Sequence, residues 1–134
     1  MNLILYNLII NSILVGVILI TQIVTYPLFK KKQNNFTVFH KEYVRRISLI
    51  AATFMILELL VVIILLVNNF EDNLIKLLAV LIIIIWTSTF VFQVPLHNHL
   101  SIKQDLKKIN ILIQSNWIRT VCWCLKLMIS ILIL

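Results

Sequence analysis

Two charges sit in stretches that otherwise carry almost none. Glu58 lies midway along the run from Ile47 to Val67, and Lys126 lies at a similar depth in the apolar run from Trp117 to Leu134. A charge at the centre of a bilayer costs about 3 kcal/mol on insertion scales, so such residues face a protein interior and find partners there. Glu58 is eleven residues beyond Ile47 and Lys126 nine beyond Trp117. At about 1.5 Å of rise per residue their depths differ by only about 3 Å, and a buried ion pair between them is expected.

The other polar residues of these runs recur at helical spacing. Asn116, Arg119, Thr120, Trp123, Lys126 and Ser130 follow one another at three- and four-residue steps, which places them on one helix face. A polar stripe of this kind turns away from lipid. His40, Tyr43, Ile47, Ala51, Phe54 and Glu58 share a face of a second helix, and Trp86, Thr89, Gln93 and His97 share one of a third. Thr21, Gln22, Thr25 and Tyr26 come from the first. Together these residues predict a polar pocket in one half of a bundle. Arg119 and His40 would hold an anionic or hydrogen-bonding head group, with Tyr43 on the His40 face beside them. Gln93, His97 and Asn116 would orient it, Trp86 and Trp123 would cover its apolar part, and Glu58 with Lys126 would close the inner end.

Each residue also has a plainer reading. Glu58 and Lys126 could serve only to fix helix register. Arg46 and Arg119 could snorkel to phosphate, Trp117 could anchor at the interface, and Thr21, Gln22, Thr25 and Gln93 could be interhelical glue. His40 and His97 are the weak candidates for a metal or haem iron, but no HxxxH or carboxylate-linked pattern accompanies them, and no metal site is assigned. Cys122 and Cys124, two apart on a helix, diverge and do not form a redox pair. Gly16 is the single glycine, which excludes a Gly-rich phosphate loop. The residues name no cofactor.

The elements that must carry this pocket follow from composition. Of the 134 residues 61% are hydrophobic and 13% charged, about half the charge of a soluble domain. Four stretches, Leu3 to Phe29, Ile47 to Val67, Leu77 to Leu96 and Trp117 to Leu134, approach or exceed the roughly 20 residues that cross a bilayer. The expected fold is therefore all-α: one integral membrane four-helix domain over residues 1–134. The first span is not expected to be a signal peptide, having no basic start and no small-residue cleavage site. Lys30, Lys31, Lys32, Lys41, Arg45 and Arg46 follow the first span, and Lys103, Lys107, Lys108 and Arg119 follow the third. The connection from Asn68 to Lys76 instead carries Glu71 and Asp72. This asymmetry predicts cytoplasmic basic connections and both termini outside. The net charge of +7 then reflects loops beside anionic head groups, and nucleic acid is not an expected partner.

The connections themselves look helical. Asn34 or Asn35 is expected to cap a helix running through His40 into the second span. Ser101 and Gln104 fit a capping box for a short interfacial helix bearing Ile102, Leu106, Ile109 and Ile113. Pro27 and Pro95 are expected to end or bend the first and third spans. The chain thus reads as two hairpins of similar plan, with too few residue matches to establish a duplication.

The segments Thr25-Tyr26-Pro27-Leu28-Phe29, Phe39-His40 with Tyr43 and Arg46-Ile47, Gln93-Val94-Pro95-Leu96-His97-Asn98, and Asn116-Trp117-Ile118-Arg119-Thr120 with Trp123 resemble those of a bacterial family of small four-span membrane proteins without an assigned function. The resemblance spans nearly the whole chain. A much weaker likeness is to the anthrone-oxygenase-like four-helix family, with its Val-Pro-x-Asn segment, although here His97 precedes Asn98. That likeness implies oxidation of a lipophilic aromatic substrate. The expected function is binding of a small amphipathic or anionic ligand, such as a lipid or quinone, in a cytoplasm-facing pocket of an inner-membrane protein. The alternatives are a membrane oxidoreductase or oxygenase, with Glu58 or a histidine transferring protons, and an accessory subunit. Expected partners are membrane lipids, a lipophilic small molecule, and a larger membrane complex or a second copy.

Overall fold

The computed structural model describes residues 2–134, and the chain is all-helical. Its long helices are α1 (Leu3–Phe29), α2 (Phe36–Asn68), α3 (Asn73–Leu100) and α4 (Leu106–Leu132). The first three are long and apolar enough to cross a membrane. The fourth has 27 residues and packs along α1 and α3. All six residues of its polar stripe, from Asn116 to Ser130, are buried.

Side-chain caps set several helix starts. The Asp72 carboxylate accepts from the Leu74 and Ile75 amides at 2.8 and 3.4 Å, and Asp105 accepts from those of Lys107 and Lys108 at 2.9 and 3.3 Å. Each satisfies amides that the first helical turn leaves unpaired. Asn35 precedes α2 without such a bond. It holds a left-handed conformation, φ 53° and ψ 34°, which asparagine tolerates better than most residues.

The separate interfacial helix expected after α3 is absent. The Asp105 cap starts one helix that runs from Leu106 to Leu132 without a break, and Ser101 to Asp105 form a turn. Ile102, assigned to the same stripe as Ile109, is 83% exposed while Ile109 is buried. Gln104 does not complete a capping box. Its amide donates to the carbonyls of Lys32 and Phe29, at 2.6 and 3.4 Å, and ties the two basic connections together.

Neither proline ends its helix. Each follows a five-residue π segment, Thr21–Thr25 before Pro27 and Thr89–Gln93 before Pro95, closed by bonds from the Tyr26 amide to Thr21 O and from the Val94 amide to Thr89 O. A proline in a helix lacks an N–H and crowds the carbonyl four residues back. The wider turn accommodates that locally. Both segments open on a threonine whose hydroxyl donates to the carbonyl one turn earlier, Val17 O and Ile85 O, at 2.8 Å each. The two hairpins are therefore alike in this detail as well as in plan. The wide turns also correct register. Leu14, Ile18, Gln22 and Tyr26 on α1, and Ile85, Thr89, Gln93 and His97 on α3, are spaced by four. A regular α-helix would rotate each such step by about 40°. The extra residue in the π turn keeps these side chains turned inward.

Buried apolar side chains form two clusters. One joins Leu14, Ile18, Met55, Val62, Leu78, Ile85, Trp123 and Ile129, and the other joins Tyr26, Phe29, Phe36, Leu96, Leu100, Ile109 and Leu112 beside the basic connections. The packing is interrupted between them.

Candidate functional site

A cavity of about 370 Å³ fills that interruption. From α1 it is walled by Leu14, Ile18, Thr21 and Tyr26, from α2 by Tyr43, Ile47, Ala51 and Met55, from α3 by Trp86, Gln93 and His97, and from α4 by Arg119 and Trp123. The wall residues exposed at the surface are Ser48 and Ala52 of α2 and Phe90, Val94 and Asn98 of α3. The mouth therefore lies along the seam between α2 and α3. The end of the bundle beside the basic connections is closed, since Phe29, Phe36, His40 and Leu100 are packed there and buried. Small side chains at Ser48, Ala51 and Ala52 keep the seam from closing.

Arg119 dominates the wall chemically. It is 8% exposed, its Nε has no hydrogen-bond partner, and no carboxylate lies within ion-pair reach of it among the described residues. Its guanidinium sits 5.1 Å from the centre of the Trp123 ring, an arrangement that suits a cation but leaves its N–H donors free. A buried ion without compensation costs several kcal/mol. The plain snorkelling reading of Arg119 does not fit a side chain so enclosed.

Behind Trp123 lies the ion pair. Lys126 Nζ is 2.9 Å from Glu58 Oε1, with both side chains buried, and the Trp123 indole N–H donates to Glu58 Oε2 at 3.1 Å. The close N–O approach falls outside hydrogen-bonding alignment, so Nζ and Oε1 attract by charge without a well-directed bond. The pair thus backs the cavity wall through Trp123. Nearby, the Asn7 amide donates to Ser130 Oγ at 2.7 Å, and Asn11 is also buried. Neither asparagine was singled out in the sequence, although a pair four apart in the apolar run of α1 is the same signal that marks Lys126 and Ser130.

The histidines are placed differently from expectation. His97 is on the wall, but His40 is fully buried behind it and holds no position on the cavity. His40 Nε2 meets His97 Nδ1 at 3.0 Å, His40 Nδ1 meets Ser101 Oγ at 3.0 Å, and His97 Nε2 meets the Tyr26 hydroxyl at 2.9 Å. All four ring nitrogens are engaged by protein groups. No group of three or more candidate metal ligands comes together among the described residues. Tyr26 also donates to Gln93 Oε1 at 3.3 Å, while Gln93 Nε2 donates to Ser115 Oγ at 3.0 Å.

Asn116 is likewise off the wall. It donates to Gln22 Oε1 at 2.7 Å, and Gln22 Nε2 donates to Ile113 O at 3.0 Å, a bracket that joins α1 to α4. Its enclosure beneath Gln22 explains why it cannot orient a ligand. Of the eight residues expected to bind, Tyr43, Trp86, Gln93, His97, Arg119 and Trp123 reach the cavity, and His40 and Asn116 support it from behind. Cys122 is buried and Cys124 half-buried, both as free thiols.

Fold and site define an all-helical bundle with three helices able to cross a membrane and a side-opening cavity that holds one arginine with no carboxylate partner among the described residues. No family model, curated protein or solved structure matches the chain.

Proposed function

We propose that this chain is an integral membrane protein that binds a small amphipathic ligand with an anionic head group. All four helices span the membrane, the basic connections lie in the cytoplasm and both termini lie outside, in accord with the distribution of lysine and arginine. The head group rests on Arg119. Its planar fork of donors suits a carboxylate or a related oxyanion, and Gln93, whose Nε2 keeps a second N–H beyond the one given to Ser115, supplies a further donor on the same wall. The apolar part lies against Trp86, Met55 and Ile47 and leaves through the seam between α2 and α3 toward the lipid.

The observation that carries this reading is the buried guanidinium of Arg119, which faces a cavity and has no carboxylate within ion-pair reach among the described residues. A bound anion removes the electrostatic penalty, and the lateral mouth gives an amphiphile a path from the bilayer. Protein purified in mild detergent and extracted with organic solvent should release an anionic amphiphile at close to one equivalent by mass spectrometry. An extract holding only the bulk lipids and detergent of the preparation, in no fixed ratio to protein, would refute the proposal.

A further inference from the structure

We propose that Ser101, His40, His97 and Tyr26 form a proton relay from the basic-loop end of the bundle to the cavity. The ligand held at Arg119 is then a weak acid whose oxygen exchanges a proton there, such as a long-chain carboxylate. This deepens the ligand-binding reading and rests on it.

Three contacts of 3.0, 3.0 and 2.9 Å make the line continuous. Its outer end, Ser101, is half-buried in the turn after α3, and its inner end, Tyr26, stands on the cavity wall. Phe29 and Phe36 pack against His40, with ring centres 5.3 and 5.4 Å away, and keep water from the middle of the line. The ordinary role of such contacts is to satisfy buried polar groups. A structural histidine, however, is commonly pinned in one tautomer by a carbonyl or carboxylate on one nitrogen. Here every neighbour of a ring nitrogen is a hydroxyl or another imidazole, which can donate or accept.

The line accordingly has two aligned proton arrangements. In one, Ser101 donates to His40 Nδ1, His40 Nε2–H donates to His97 Nδ1, and His97 Nε2–H donates to the Tyr26 oxygen. In the other every bond is reversed. Opposed tautomers would set two N–H groups or two lone pairs against each other between the rings. Gln93 Oε1 accepts from Tyr26, and this selects the first arrangement at rest.

Transfer then balances without a charged intermediate being required. When ligand is present the Tyr26 hydroxyl turns from Gln93 Oε1 to the ligand oxygen, its proton passes to that oxygen, and the His97 Nε2 proton passes to Tyr26. His40 Nε2 supplies His97 Nδ1, Ser101 supplies His40 Nδ1, and a proton from bulk water restores Ser101. The ligand gains one proton, the solvent loses one, and both imidazoles have changed from the Nε2–H to the Nδ1–H tautomer.

Nitrogen-15 NMR of histidine-labelled protein without added ligand tests the relay itself. Both His40 and His97 should carry hydrogen on Nε2, whereas opposed tautomers or a resting imidazolium would overturn it. Stopped-flow mixing with dodecanoate in weakly buffered solution, followed by a pH indicator, tests the coupling. At equal occupancy, His40→Phe and Ser101→Ala should slow the proton exchange that accompanies binding by roughly a hundredfold, the low end of what positioned proton transfer contributes. Ser101→Ala leaves both rings in place and serves if His40→Phe misfolds. Unchanged exchange in a folded variant would overturn the relay. Absence of dodecanoate binding to wild type would overturn the weak-acid ligand class, while the anion site at Arg119 is judged separately from the extracted ligand.

Discussion

Lys126→Met removes the one cation within ion-pair reach of Glu58 among the described residues. The carboxylate is buried, and what remains to it is one indole N–H from Trp123 at 3.1 Å. Breaking a buried pair by deleting one member costs about 3–5 kcal/mol, because the partner stays as an uncompensated charge or must take up a proton. Glu58→Gln strands the Lys126 ammonium in the same way and should fall in the same range. The double variant carries no charge, and its glutamine can still accept from Trp123. It should recover about a third of the summed losses, a coupling of about 2–3 kcal/mol for groups in direct contact. Equilibrium unfolding in mixed micelles of mild detergent and dodecyl sulfate reads all four proteins on one scale. Additive losses, with the double variant as poor as the sum of the singles, would refute the contact and with it the backing of the cavity wall.

Other outcomes follow from other contacts. Asn7→Ala breaks the bond to Ser130 and should cost about 0.6 kcal/mol in the same unfolding assay, the average for interhelical polar pairs; no measurable loss would show that bond to be idle. The amides of Lys108 and then Lys107 hold the Asp105 carboxyl below its usual value. Its depressed folded value means that this stabilisation is present above the unfolded carboxyl range, about 3.9, and is lost as pH falls through the folded value. Asp105→Ala should therefore lower stability at neutral pH and flatten the acid limb of the stability profile, and an unchanged acid limb would contradict the cap. In intact cells, Asn69→Cys should react with an impermeant thiol reagent and Asn34→Cys should not. Labelling of position 34 alone would reverse the orientation.

Much of this arrangement can be read from residue spacing. The α4 stripe is legible because Asn116 to Ser130 keep near-ideal α-helical steps, and the α4 helix is regular throughout. The meeting of Glu58 with Lys126 is legible because depth scales simply with residue number on two helices rising from the same side. What spacing hides is the difference between facing inward and facing a cavity. His40 and Asn116 turn inward but are covered by His97 and Gln22, and a helical wheel carries no information about which side chain lies in front. The π turns were also hidden. Proline signals a disturbed ladder, but whether the helix stops, kinks or widens depends on the packing that holds Thr21 and Thr89 in place. The start of α4 is hidden for a related reason: both Ser101 and Asp105 are competent caps, and Gln104, bonded to Lys32 O, is drawn away from a capping box with Ser101.

The central claim is that Arg119 holds an anionic head group, and native mass spectrometry of the wild type beside Arg119→Gln tests it most directly. The substitution keeps a hydrogen-bonding side chain but removes the charge and the forked donors. The wild type should retain a bound anionic amphiphile. Arg119→Gln should lose it while its melting temperature without ligand holds or rises, since a buried uncompensated cation has been removed. The same bound mass at the same occupancy in both proteins would contradict the account.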